Sequence, residues 1–445
     1  RHVTDMSYKV NGVGFVPGRA EARSWRPAQL WRQTVGDTAK QQLTTVLYSH
    51  RAPEVSPDGK WIAFVADARL RPDSVVDLER DALATLPYNK ARDEADRNDT
   101  DLYVVASTGG TPRKVSEWMG AESDITWSPD SKQLAFVGRP TRVKSARIYV
   151  VDMAGGMPRN LLGDWQFEPG SLSWLTTGHL QFAADIGGRS AILRADLTGK
   201  TAPKELVGGR RQLRGASYDA AAKVMAYTSS SMTKPTELFV ATADGTGERQ
   251  LTRFNDSVNT DVVWSDADRF TYKSVGNLEI EGWLMKPYGY SPGKKYPMVI
   301  YIHGGPHSMY NVGFNFARQD HASNGFVMLY TNPRGSTGYG SAFGNAIKNA
   351  YPGKDYNDLM AGVDTVINRG FVDSNRLYVF GCSGGGVLTA WTVGHTDRFA
   401  AAASQCPVIN WLSFVGTTDG SSWYYNFAKY PWDDPSEHLK RSPLM

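Results

Sequence analysis

Two kinds of hydrophobic periodicity divide the chain. Up to about residue 275, short apolar runs of strand length recur behind tight turns. Ser56-Pro57-Asp58-Gly59 opens into Trp61-Ile62-Ala63-Phe64-Val65, and Ser128-Pro129-Asp130-Ser131 opens into Leu134-Ala135-Phe136-Val137. Each pair reads as a turn feeding a buried strand. A second apolar phrase follows each: Asp101-Leu102-Tyr103-Val104-Val105 before Gly109-Gly110, and Arg147-Ile148-Tyr149-Val150-Val151 before Gly155-Gly156. Weaker copies occur at Ser173-Trp174 with Leu193, at Ser217-Tyr218 with Leu238-Phe239-Val240, and at Trp264-Ser265. A half copy runs from Gln29-Leu30-Trp31 to Gln42-Leu43-Thr44. Repeats of four short strands predict the blades of a partial β-propeller, with about five visible. Residues 66–100, rich in Asp, Glu, Arg and Ala, are expected to form a solvated insertion on its rim. The repeated positions are turn formers and buried strand residues, so most of the propeller is expected to act as scaffold, with gating or anchoring of substrate as its other role.

After about residue 280 the pattern changes to apolar strands alternating with helical segments. Met298–His303, Phe326–Asn332, Leu377–Gly381 and Phe399–Ser404 read as strands, and Leu359, Val363 and Ile367 recur on one face of a helix. The expected organisation is a propeller domain over residues 1–275 and an α/β-hydrolase catalytic domain over 276–445.

The chemistry lies in the second domain. Gly381-Cys382-Ser383-Gly384-Gly385 follows the apolar strand 377–380 and precedes Val387-Leu388-Thr389-Ala390-Trp391, which can be helical. A serine held on a strained strand-to-helix turn, flanked by glycines that let strand and helix pass closely, is a nucleophile elbow. Ser383 is therefore the candidate nucleophile, against the plainer reading of a glycine-rich structural turn. His303-Gly304-Gly305-Pro306 leaves the strand 298–302 where an oxyanion loop belongs, so Gly305 N–H and Gly384 N–H are the candidate oxyanion donors. His303 is expected to order this loop rather than to act as a base.

Composition narrows the function. Forty-nine basic and 45 acidic residues give a charge of +4, mixed along the chain without a basic run, which argues against a nucleic-acid partner. No stretch approaches the roughly 20 apolar residues of a membrane span, so a soluble protein is expected. The sequence opens at Arg1 with no leader, which leaves periplasmic, secreted and cytoplasmic locations open. Cys382 and Cys406 are too few for a disulfide framework and wrongly spaced for zinc; no metal and no cofactor is expected. The two thiols are expected to lie near one another, and to be free.

The SPDG-type turns, Glu281-Gly282-Trp283-Leu284 leading into HGGP, Asn332-Pro333-Arg334-Gly335-Ser336-Thr337-Gly338-Tyr339-Gly340, and then the GCSGGG elbow together resemble the prolyl oligopeptidase family of serine peptidases, most nearly its acylaminoacyl-peptidase branch. The resemblance covers nearly the whole chain. It implies a peptidase whose propeller covers the active site and admits short peptides, working through an acyl-enzyme on Ser383; a homo-oligomer is left open. It also implies an S1 pocket built after the strand that follows the elbow. Trp411, Phe414, Val415 and Thr418 stand there, either lining a pocket for a hydrophobic side chain or packing under the elbow.

Serine needs a histidine base and a carboxylate to orient it, in the order Ser, Asp or Glu, His. Downstream of Ser383 only His395 and His438 occur, one expected on the elbow helix and one in a polar segment, and neither fits. The expectation is that the triad acid and base, further strands of the sheet and the first blades all lie outside this 445-residue stretch, leaving both domains incomplete. An esterase or isopeptidase on the same scaffold, or a peptide-binding pseudoenzyme, remains open as an alternative.

Overall fold

The Ser-Pro-Asp turns close through their own side chains. Ser56 Oγ donates to Asp58 Oδ1 (2.6 Å) and accepts from Trp61 N (3.0 Å), while Asp58 Oδ1 also accepts from Lys60 N (3.0 Å). Ser128 and Asp130 repeat the arrangement with Gln133 N (2.8 Å) and Lys132 N (3.1 Å). The last turn residue is left-handed in both, Gly59 at φ 71° and Ser131 at φ 60°, and the chain reverses directly into an apolar strand.

The computed structural model describes residues 8–10, 13–15, 28–45, 50–67, 100–116, 120–140, 144–176, 178–418, 423 and 426–445. Among these are four four-stranded antiparallel sheets whose strands neighbour one another in chain order. The first runs Arg51–Val55, Trp61–Asp67, Thr100–Ala106 and Arg113–Lys114; the second Ala121–Trp127, Gln133–Arg139, Arg147–Asp152 and Arg159–Asn160. The third runs Pro169–Trp174, Leu180–Ile186, Arg189–Ala195 and Lys204–Val207; the fourth Gln212–Tyr218, Val224–Ser231, Lys234–Thr242 and Arg249–Gln250. These meanders are propeller blades. The half copy at the start pairs Trp31–Gln33 with Lys40–Gln42. Leu102–Val105 and Leu134–Val137 are buried along their whole length, so they read as continuous apolar runs without alternation. The expected insertion at 66–100 falls almost wholly outside the described residues.

Trp264-Ser265 does not open a fifth blade. Trp264 Nε1 donates to Asn259 Oδ1 (2.9 Å), Ser265 N donates to Gln319 Oε1 (2.8 Å), and the chain then enters a different sheet. That sheet has six strands: β1 (Ala267–Lys273), β2 (Glu279–Met285), β3 (Tyr296–Ile302), β4 (Val327–Asn332), β5 (Val372–Cys382) and β6 (Ala401–Gln405), in the order β1-β2-β4-β3-β5-β6. β1, β2 and β4 pair antiparallel, whereas β4, β3, β5 and β6 are parallel. The boundary read at residues 275/276 falls inside the β1-β2 hairpin, at a turn made by Gly276 (φ 77°) and Asn277 (φ 59°). The polar composition of β1 hid it, since only Ala267 and Tyr272 of its seven residues are buried.

Among the described residues, the helices that accompany the sheet include α1 (Phe316–Ser323), α2 (Lys354–Ile367), α3 (Gly384–Val393), α4 (Trp411–Thr417) and α5 (Ser436–Lys440). Leu359, Val363 and Val366 of α2 and Val387 and Leu388 of α3 pack with Met298, Ile300 and Ile302 of β3 and Leu377 and Val379 of β5 in one buried cluster. Two compact units result: residues 1–184, 192–206 and 219–223 form one, and residues 185–191, 207–218 and 224–445 the other. The fourth blade thus groups with the six-stranded sheet. Among the described residues no helix is long and apolar enough to cross a membrane.

Candidate active site

Parallel pairing aligns the carboxyl ends of β3 and β5, which is where open α/β sheets place their sites. Ser383 stands there, between β5 and α3, exposed and with φ 56° and ψ −120°. A non-glycine residue in such a conformation stores roughly 1–3 kcal/mol, held here by the surrounding backbone. Ser383 N donates to Gln405 O (3.0 Å) and Val387 N donates to Ser383 O (2.9 Å). The glycines are needed for contact. A Cβ on Gly385 would lie 2.1 Å from Ile302 O, and one on Gly386 would lie 2.3 Å from Gln405 O.

The oxyanion loop reaches the elbow. A Cβ on Gly384 would come within 3.0 Å of the Gly305 nitrogen and carbonyl oxygen, and one on Gly304 would sit 3.6 Å from Ser383 Cβ. Gly305 itself is left-handed at φ 121°. The two expected donors, Gly305 and Gly384, are therefore brought side by side next to the Ser383 side chain.

A buried relay holds this loop. His303 Nδ1 donates to Gly304 O (2.7 Å) and its Nε2 meets Ser336 Oγ at 2.9 Å. Ser336 Oγ also lies 2.6 Å from Pro333 O. Burial pushes the imidazole down to about 4, so it stays neutral at ordinary pH, as a positioning group would. Beside it Arg334 is clamped by Asp358 of α2: its Nε and its backbone N donate to Oδ2 (2.8 and 2.9 Å) and its Nη2 to Oδ1 (2.7 Å). Asp358 is fully buried and Arg334 nearly so. The carboxylate raises the Arg334 guanidinium further above its ordinary range.

Among the described residues no imidazole is hydrogen-bonded to Ser383 Oγ. His307 Nδ1 donates to Gly335 O (3.0 Å), and His395 Nδ1 donates to Trp391 O (2.8 Å) while its ring stacks on Trp391. His438 lies on the short helix α5 within its polar segment, but its own side chain turns inward. It is buried against Phe427 with ring centroids 3.9 Å apart.

Residues 312–445 match the model of the prolyl oligopeptidase family. The match covers the segment that holds Ser383, the strands β5 and β6 and the helix behind the elbow. Over 99% of its length it is 29% identical to the uncharacterized peptidase YuxL of Bacillus subtilis (strain 168), and it spans 66% of that protein. Over 88% of its length it is 26% identical to dipeptidyl-peptidase 5 of Aspergillus oryzae, and it spans 54% of that one. The chain thus spans about half to two thirds of the length of these curated relatives. The solved acylaminoacyl peptidase of Pyrococcus horikoshii superposes over 94% of this chain and 72% of its own, with a TM-score of 0.69 at 21% identity. That likeness fixes the fold.

Within the matched segment, the stretch after β6 is mostly core. Asn410 caps α4 by accepting from Ser413 N (3.0 Å). Trp411 and Val415 are buried in the same cluster as Leu388 and Phe427, and the half-buried Phe414 packs edge-on against Trp411. Of the four expected pocket residues, Trp411 and Val415 thus follow the packing alternative; Phe414 and Thr418 keep partial exposure.

The sequence reading passed over the support behind the elbow. Tyr351 OH donates to Gly384 O (2.7 Å), fixing the residue after the nucleophile from within the core. Nearby, Asp355 is buried at 1% exposure, and its Oδ2 has no partner. Its Oδ1 accepts from Gly353 N (2.5 Å), but burial outweighs that bond and raises the carboxyl to about 7. A raised acid contributes stability below its ordinary range that is lost as pH rises through about 7. Asp355→Asn is therefore expected to be more stable than the parent at pH 8 by up to a few kcal/mol, with the gain shrinking toward pH 4. Urea midpoints at the two pH values measure this; an equal or negative difference at pH 8 would contradict it.

Proposed function

We propose that this chain carries the nucleophile and oxyanion donors of a serine peptidase that hydrolyses short peptides through an acyl-enzyme on Ser383. The observation that carries the reading is the exposed Ser383 at φ 56° with Gly305 and Gly384 packed beside it. Ser383 Oγ attacks the scissile carbonyl carbon, and the carbonyl electron pair moves to oxygen. Gly305 N–H and Gly384 N–H donate to that oxyanion, each worth a few kcal/mol in the transition state. Collapse expels the amine, which takes the proton that the base removed from Ser383; water then repeats the steps on the ester.

The activating imidazole and its carboxylate are proposed to come from outside residues 1–445, since His303, His307, His395 and His438 are each held elsewhere. The dipeptidyl- and acylaminoacyl-peptidase names of relatives support release of a dipeptide or of an acylated residue from a peptide amino end. The test is a panel of N-acylated aminoacyl, free dipeptidyl and internally cleavable amides, with matching esters, on the full-length gene product. Release of amino-terminal units from amides is expected. Turnover of esters alone would make it an esterase, and peptide binding without turnover a pseudoenzyme.

A further inference from the structure

Cys382 and Cys406 are the two cysteines of the chain, and they flank the proposed nucleophile. Cys382 ends β5 immediately before Ser383. Cys406 follows β6, whose last residue Gln405 is the register partner of Cys382 and accepts the Ser383 N–H at 3.0 Å. Both thiols are free and exposed, and their sulfurs are 2.8 Å apart. That gap is only about 0.8 Å more than an S–S bond of roughly 2.05 Å. Adjacent parallel strands one residue out of register place Cα atoms roughly 6 Å apart, in the middle of the range that disulfides span. The conformations of Ser383 (φ 56°) and Cys406 (φ 39°) are both left-handed, so the two sulfurs bracket a turn with little slack.

We propose that Cys382 and Cys406 form a dithiol–disulfide couple, a modification site for low-molecular-weight disulfides whose state sets the reactivity of Ser383. A thiolate of the pair attacks the S–S bond of the small disulfide, expels one small thiolate and leaves a mixed disulfide. The second cysteine sulfur attacks the protein-side sulfur of that mixed disulfide and expels the other small thiolate. The two protons lost by the cysteines are taken up by the two leaving thiolates, so the protein is oxidised by two electrons and the small disulfide is reduced. Exposure places the pair among the easily exchanged couples rather than the buried structural ones. The hydrogen bond with Cys406 holds the Cys382 thiol above its ordinary range, which favours the protonated thiol in the reduced pair. Closing the bond draws the first residue of the elbow toward Cys406, and reaction at Ser383 tolerates displacements of only a fraction of an ångström.

The coupling to Ser383 rests on the proposed function; the thiol chemistry does not. The full-length gene product is equilibrated with oxidised or reduced glutathione, alkylated and mapped by mass spectrometry. The expected oxidised form lacks two hydrogens, resists alkylation at both positions, yields a peptide joining Cys382 to Cys406 and reverts with reduced glutathione. Cys406→Ser is expected instead to retain glutathione on Cys382. Full alkylation after oxidation, glutathione on each cysteine of the unsubstituted protein, or a bridge between two chains would overturn the couple. In parallel, a fluorophosphonate is expected to label Ser383 about tenfold or more slowly in the oxidised form. Equal rates would overturn the coupling alone, and labelling in neither state would count against the nucleophile while leaving the couple standing.

Discussion

Asp358→Ala is expected to destabilise the α/β domain by roughly 3–5 kcal/mol, the usual result of leaving one partner of a buried ion pair uncompensated. Asp358 is fully buried and accepts three hydrogen bonds from Arg334, two from the guanidinium and one from the backbone nitrogen. Removing the carboxylate strands a nearly buried cation whose other partner is Val275 O (2.9 Å). Denaturant midpoints read the loss, and a change below about 1 kcal/mol would contradict the account. The pair also matters for the site. Arg334 begins the turn that carries Ser336 to His303, so any surviving activity should fall in kcat while KM changes less. A double replacement of Arg334 and Asp358 by apolar residues of similar volume should recover stability without recovering that kcat.

Ser383→Ala in the full-length gene product is expected to lower kcat/KM by about 10³-fold or more, because what remains is substrate binding and the oxyanion donors. The loss should fall on kcat. The left-handed backbone is fixed by Ser383 N–H to Gln405 O and by the glycine contacts with β3, none of which uses the hydroxyl. Folding of the variant should therefore match the parent, and a large change in its denaturation midpoint would show that the serine is structural.

Much of this was legible in the sequence, and for identifiable reasons. The elbow could be read because a left-handed serine hemmed in by two strands demands glycine at 381, 384, 385 and 386, and a single serine enclosed by all four is the mark of that turn. The blades could be read because each Ser-Pro-Asp turn is a local hydrogen-bonding device followed by a strand buried on both faces. Trp264-Ser265 misled because a tryptophan before a polar turn looks alike whether a blade or a linking segment follows. Trp411 and Val415 stayed ambiguous in the sequence for a different reason: pocket walls and core both call for apolar side chains, and burial in the sheet's cluster is what places these two in the core. The support behind the site was out of reach altogether. Arg334 and Asp358 are 24 residues apart and Tyr351 and Gly384 are 33 apart, with no periodicity joining them.

The most direct test of the central claim is fluorophosphonate labelling of the full-length gene product followed by peptide mapping. One adduct on Ser383, absent from Ser383→Ala, is the predicted result; an adduct on a different serine, or undiminished labelling of the alanine variant, would contradict it.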